Sequence, residues 1–66
     1  MNIHINGEDR TVTDGITVGA LLGQLEIRLT HVVVELNEQI LPRDAAAQTP
    51  IPPDARIEIV HFVGGG

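Results

Sequence analysis

Apolar and polar positions alternate over residues 2–6, with Ile3 and Ile5 facing one way and His4 the other. Asn6-Gly7 then supplies the residue pair of a tight hairpin turn. The return strand is predicted over residues 10–13. Asp14-Gly15 breaks the chain, and Thr17 stands where a helix N-cap would, its hydroxyl free to accept from first-turn amides. From there Val18, Leu21, Leu22, Leu25 and Leu29 recur at helical spacing and fall on one stripe, with Gly19, Gly23 and Ile27 on the flank or far side. The pattern predicts one amphipathic helix with a Leu-rich face against a sheet. Residues 32–36 form a β-branched run ended by Asn37-Glu38, and residues 39–41 return before Pro42 as a second short hairpin. Between 43 and 55 the alanine run and Pro50, Pro52 and Pro53 suit a helical turn followed by a loop, because each proline fixes its own φ and restricts its predecessor. Residues 56–63 close the pattern, with Ile57 and Ile59 on one face and Glu58, Val60 and Phe62 on the other.

The order ββ-α-ββ-β cannot make a doubly wound sheet, but one helix can cover one face of a mixed sheet. The expectation is an α+β fold of the β-grasp type, a single domain over residues 1–66 with a sheet of four to five strands and one main helix on one face. The apolar last strand fits best in the middle, and the strand after the helix is expected to run parallel to a central strand. The core is predicted to hold Ile3, Ile5, Val12, Leu21, Leu22, Leu25, Val34, Leu36, Ile40, Ile57 and Ile59. A single helix leaves the other sheet face open, so Val60 and Phe62 are expected to be partly exposed as a partner-docking patch beside the chain end.

Length changes the picture first. A chain of 66 residues buries only about 60% of the surface its unfolded form exposes, which argues against a deep cleft and a free-standing enzyme. The formal charge of −5 and the single aromatic residue, Phe62, disfavour nucleic acid. No apolar stretch approaches the roughly 20 residues of a membrane span, and neither a membrane nor a leader is indicated; a cytoplasmic location is expected. Without cysteine the chain has no thiol of its own to carry sulfur. All four basic side chains are Arg and Lys is absent, which reads as a compositional bias toward Arg and Ala; the alternative is that a protein with an activated carboxyl group gains by having no side-chain amine to attack it.

Candidate chemistry is sparse. His4 and His61 alternate with apolar neighbours on strands and His31 sits in a turn; no spacing matches a ligand pair, and no metal site is expected. Glu35, Glu38 and Asp54 read as solvated charges, since the small core offers no pocket to shift a carboxyl pKa. Gly19 and Gly23 lie within the helix pattern without the Lys and Ser/Thr of a phosphate loop, so any ATP must be bound by another protein. Gly64-Gly65-Gly66 is different, because it follows directly on a strong apolar strand. Glycine lacks Cβ and can thread a narrow channel, three residues reach about 10 Å, and a terminal glycine carbonyl is open to attack from either face. Residues 64–66 are expected to be a flexible tail presented to other enzymes.

The ending Ile57-Glu58-Ile59-Val60-His61-Phe62-Val63-Gly64-Gly65-Gly66 resembles that of the sulfur carrier protein of thiamine biosynthesis, the ubiquitin-like ThiS family. The resemblance spans essentially the whole chain, including the opening Asn-Ile-His-Ile-Asn-Gly, the Thr17-Val18 helix start and Leu36-Asn37-Glu38-Gln39-Ile40-Leu41-Pro42-Arg43. Pro52-Pro53-Asp54-Ala55 departs from it, where an Asp-Gly-Asp type turn is expected. The resemblance implies that a ubiquitin-activating-type adenylyltransferase uses Mg-ATP to adenylate Gly66. A persulfide derived through a cysteine desulfurase then displaces AMP, and the thiocarboxylate donates sulfur to thiazole synthase. Gly66 would bear the chemistry, Gly65 and Gly64 would give reach, and the chain would be a recycled co-substrate with no cofactor of its own. Sulfur transfer toward molybdopterin, cysteine or thiolated tRNA is the alternative within the fold; a non-catalytic β-grasp interaction module is the alternative of another class.

Overall fold

The computed structural model describes residues 1–62; the expected strand residue Val63 and the expected tail Gly64, Gly65 and Gly66 lie outside the described residues. Strands β1 (Asn2–Ile5) and β2 (Glu8–Thr11) lead into helix α1 (Val18–Gln24). A 3-10 turn, Leu29–His31, precedes β3 (Val32–Leu36), β4 (Gln39–Ile40), the short helix α2 (Arg43–Ala46) and the last strand β5 (Arg56–His61). The sheet order is β2-β1-β5-β3-β4, so the last strand is central, and the architecture is the β-grasp expected from the sequence.

The direction of one strand differs from expectation. The parallel neighbours are β1 and β5, whereas β3 runs antiparallel to both β5 and β4. A helical crossover makes parallel the two strands that it connects, here β2 and β3, and β2 lies on the sheet edge rather than at its centre. The second crossover, through α2 and the proline segment, likewise joins two strands of the same direction, β4 and β5, and carries β5 past β3 to lie beside β1.

The first hairpin also differs in extent. Asn6 and Gly7 both adopt positive φ, 49° and 84°, and a two-residue turn of that hand lets the chain re-enter the sheet at once. The return strand therefore starts at Glu8 rather than residue 10, and its Glu-Asp-Arg-Thr sequence is wholly exposed, as suits a charged edge strand. Val12 falls beyond the strand but is buried, its N–H donating to the Met1 carbonyl at 2.8 Å.

Thr17 caps α1 as predicted, its hydroxyl accepting from the Ala20 N–H at 3.1 Å. The helix ends at Gln24, short of the apolar stripe. There the Ile27 N–H donates to the Leu22 carbonyl at 2.9 Å and the Glu26 N–H to that of Gly23 at 3.1 Å, with Glu26 at φ 58°. This is a Schellman termination, with Glu where glycine is usual, and it leaves Leu29 to pack from the 3-10 turn.

Seven of the predicted core residues are buried: Ile3, Val12, Leu21, Leu22, Val34, Ile57 and Ile59. Ile5, Leu25 and Leu36 pack against them half-buried. Ile40 is a correction, being 68% exposed. The Asn37-Glu38 turn puts Gln39 opposite Leu36 and Ile40 opposite Glu35, so Ile40 shares the open face with Glu35. In its place the core takes Ile16, Val18, Val32, Ala46, Ile51 and Ala55. Ile51 sits between prolines yet is held in a short antiparallel pairing, its N–H donating to the Ile16 carbonyl and the Val18 N–H to that of Thr49, each at 2.9 Å.

Candidate functional site

The face of the sheet away from α1 carries the exposed apolar residues. β5 alternates, so Ile57 and Ile59 enter the core while Val60 and Phe62 stand outside, 54% and 53% exposed. Val60 lies across from the half-buried Val33 of β3, and Ile40 stands on the same face one strand further out. Sequence reasoning found Val60 and Phe62 but not Ile40 or Val33; the two-residue turn after Leu36 was the signal, because it fixes the register and hence the face.

Phe62 is the last described residue and the root of the predicted tail. Its N–H donates to the His31 carbonyl at 3.0 Å, continuing the β3·β5 ladder past the end of the strand. The Arg43 guanidinium carbon lies 5.3 Å from the Phe62 ring centroid, a stacking worth about 0.5–1 kcal/mol at an exposed site. The contact of Arg43 with Phe62 depends on the fold: the Leu41 N–H donates to the Val34 carbonyl at 2.9 Å, so the chain continues past β4 alongside β3, toward the end of the sheet where Phe62 stands. Beside this apolar group, Glu35 and Glu58 are direct cross-strand neighbours. Like charges so placed repel each other, so the open face carries an acidic pair beside its apolar residues, with Arg56 two positions before Glu58 on the same face.

Two asparagines fix the strand that ends at this site. The Asn6 side chain donates to the Ile59 carbonyl at 3.2 Å and accepts the Ile59 N–H at 2.8 Å, so it extends the β1·β5 ladder by one further residue. On the other side the Asn37 Oδ1 accepts the Arg56 N–H at 2.9 Å while the Asn37 N–H donates to the Arg56 carbonyl at 2.8 Å. Both asparagines sit at the first position of a hairpin turn with positive φ, 49° and 50°, a conformation asparagine tolerates better than most residues. One side chain thus serves turn and ladder together.

The remaining candidates are not brought together. His4 pairs with Asp9 at 2.6 Å across the first hairpin, on the open face, whereas His61 belongs to the opposite face at the far end of β5. Among the described residues no group of three His, Asp or Glu side chains is placed to hold a metal ion. Glu38 and Asp54 are turn residues with φ of 72° and 61°, and Asp54 occupies the turn where the sequence departs from the expected Asp-Gly-Asp. A shallow cleft lined by Ile5, Asn6, Glu8, Asp9, Arg10 and Leu25 has about 170 Å³, below the roughly 300–1,000 Å³ of small-molecule pockets. No helix among the described residues is long and apolar enough to cross a membrane.

Comparison with known proteins gives a consistent picture. Residues 3–66 match the family described as the ThiS family. The sulfur carrier protein ThiS of Bacillus subtilis is 34% identical over 65 residues, covering 97% of this chain and 98% of that one. A thiazole synthase of Paramagnetospirillum magneticum is 42% identical over all 66 residues, but the match covers only 20% of that longer protein; a second thiazole synthase, from Magnetococcus marinus, shows the same 20% coverage. The crystal structure of a thiamine biosynthesis protein (ThiS) from Geobacter metallireducens superposes with a TM-score of 0.85 at 35% identity, each chain covered completely.

Proposed function

We propose, from the premise that the chain belongs to the ThiS family, that it carries sulfur as a thiocarboxylate on Gly66 for the assembly of a thiazole. The observation that supports this most directly is that the family match runs through Gly66 itself, the residue whose carboxyl group would be used. A carboxylate is a poor electrophile. An adenylyltransferase of the ubiquitin-activating type, using Mg-ATP, joins the Gly66 carboxylate to AMP and releases pyrophosphate. A protein persulfide, charged through a cysteine desulfurase, then attacks the acyl carbon and AMP leaves; a second thiol cleaves the resulting acyl disulfide to give the thiocarboxylate. Thiazole synthase takes the sulfur and the carrier returns as a carboxylate. The chain supplies the reacting group and its presentation, while nucleotide, metal ion and thiol chemistry belong to its partners.

In this reading Val60 and Phe62 form the docking patch for the partner enzymes, and Gly64 and Gly65 let the end enter a narrow active site. The two thiazole synthases that contain a stretch similar to this chain support a thiazole synthase as the acceptor. Incubation with the adenylyltransferase, Mg-ATP and a persulfide donor should exchange one oxygen for one sulfur, located on Gly66 by fragmentation of the intact protein. Deleting Gly66, or placing a residue after it, should abolish that exchange and leave the circular dichroism spectrum unchanged. Sulfur uptake by the extended protein, with its added residue still in place, would overturn the reading.

A further inference from the structure

We infer that Asn6-Gly7 is a modification site held in check by the fold: a deamidation-prone pair whose side-chain amide is clamped by β5, and whose conversion loosens that strand. The two-residue turn between β1 and β2 requires positive φ at both positions, 49° and 84°, and Asn-Gly meets that demand best. The same pair is the one most open to succinimide formation, because glycine puts no side chain in the way of its own nitrogen. In that reaction the Gly7 nitrogen bonds to the side-chain carbonyl carbon of Asn6, the bond from that carbon to Nδ2 breaks, and ammonia leaves with the proton that Gly7 gives up. Water then opens the imide at either carbonyl, leaving aspartate or isoaspartate at position 6.

Gly7 itself offers no protection. A Cβ built on it would meet nothing within 4 Å, and its N–H has no hydrogen-bond acceptor among the described residues. The restraint lies on Asn6, which is exposed to water but whose amide is tied at both ends: Nδ2 donates to the Ile59 carbonyl at 3.2 Å and Oδ1 accepts the Ile59 N–H at 2.8 Å. Ring closure needs the amide carbon turned toward the nitrogen that follows it in the chain. An amide paired with β5 is turned instead across the sheet, to a residue 53 positions away. Reaction therefore waits until both bonds open, and conversion then keeps them from re-forming as they were. An oxygen takes the place of Nδ2 and faces the Ile59 carbonyl with no proton to share. The isoaspartate form also adds a carbon to the main chain inside a two-residue turn, where loop length sets the register of β1 and β2. Both effects fall on the strand that bears Val60 and leads to Phe62.

The test ages the full chain, alone, in mildly alkaline buffer at urea concentrations from none to beyond the unfolding transition. Fragmentation mass spectrometry locates the mass gain of exchanging NH2 for OH, and hydrogen exchange follows the Ile59 N–H under the same conditions. Asp14-Gly15 closes the same ring without a change of mass and does not interfere. Asn2 and Asn37 are followed by Ile3 and Glu38, whose side chains hinder closure, so they serve as slow internal references. Asn6 in the folded chain should deamidate at least about tenfold more slowly than in the unfolded chain, and its rate should climb with urea in parallel with exchange at Ile59. The isoaspartate form, separated by chromatography, should unfold at a lower urea concentration than the native chain and exchange its Ile59 N–H faster. Deamidation as fast in the folded chain as in the unfolded one, or slow deamidation that does not follow Ile59 exchange, would overturn the clamp; an isoaspartate form as stable as the native chain would overturn the loosening. Neither a partner enzyme nor Gly66 takes part, so these outcomes are distinct from failure of the sulfur-carrier reading.

Discussion

Gly19 and Gly23 lie four residues apart on α1, and the fold treats them differently. A Cβ on Gly19 would come within 2.7 Å of the Ala47 carbonyl oxygen, the same oxygen that accepts the Gly19 N–H at 3.0 Å. Backbone is met on both sides, so neither can yield without breaking the bond between them. Gly19→Ala is expected to lower the unfolding free energy by about 1–3 kcal/mol, as overpacking does elsewhere. At Gly23 a Cβ would meet nothing within 4 Å, and Gly23→Ala should raise stability by about 0.5–1 kcal/mol through the smaller entropy of the unfolded chain. Urea denaturation of the two variants checks both signs at once. The helix pattern alone could not separate these glycines, because what distinguishes them is a carbonyl 28 positions further along the chain. Thr17, by contrast, was legible as a cap, since capping is a local interaction between residues three apart.

Among the elements, β5 depends on both hairpin turns. Asn6 and Asn37 pair with its backbone from either side, at Ile59 and at Arg56, so each turn also positions the strand that leads to the tail. Asn6→Gly keeps a residue at ease with positive φ but removes the side-chain amide. It should cost about 1–3 kcal/mol, because the partly buried Ile59 N–H loses its acceptor, and amide hydrogen exchange at Ile59 should accelerate by more than the global loss of stability explains. The order of elements, the central place of β5 and the open face bearing Val60 were legible from alternation and turn residues. The direction of β3 was not, because it requires knowing which strands are neighbours. The exposure of Ile40 was within reach: a two-residue turn after Leu36 pairs it with outward-facing Glu35. The burial of Ile51 was not, since a residue between prolines shows no period and is recruited by pairing with Ile16 and Val18.

On the scale of the whole molecule, one main helix and one sheet leave a face that none of the described residues covers, and Phe62, the last described residue, stands on it. Its contents are mixed: Ile40, Val60 and Phe62 offer apolar area, Arg43 stacks on Phe62, and Glu35 opposes Glu58. Stability alone would favour separating two carboxylates that face each other across a sheet, whereas a partner with a basic rim would gain from finding them together. With a formal charge of −5, long-range attraction to such a partner should speed encounter and weaken as salt screens it. Two substitutions separate the apolar from the electrostatic contribution. Phe62→Asp removes a central aromatic anchor from an exposed position, so it should leave the melting temperature nearly unchanged while weakening binding to the adenylyltransferase by roughly tenfold or more. Glu58→Gln relieves the repulsion with Glu35, so it should stabilise the free protein slightly, by about 0.2–1 kcal/mol. It should also slow association and flatten the dependence of the association rate on ionic strength. Surface plasmon resonance at several salt concentrations, beside thermal melts of both variants, tests the two contributions. Full affinity in Phe62→Asp would remove this face from the docking surface, and a Glu58→Gln variant that associates as fast as the native chain at low salt would remove the acidic pair from steering.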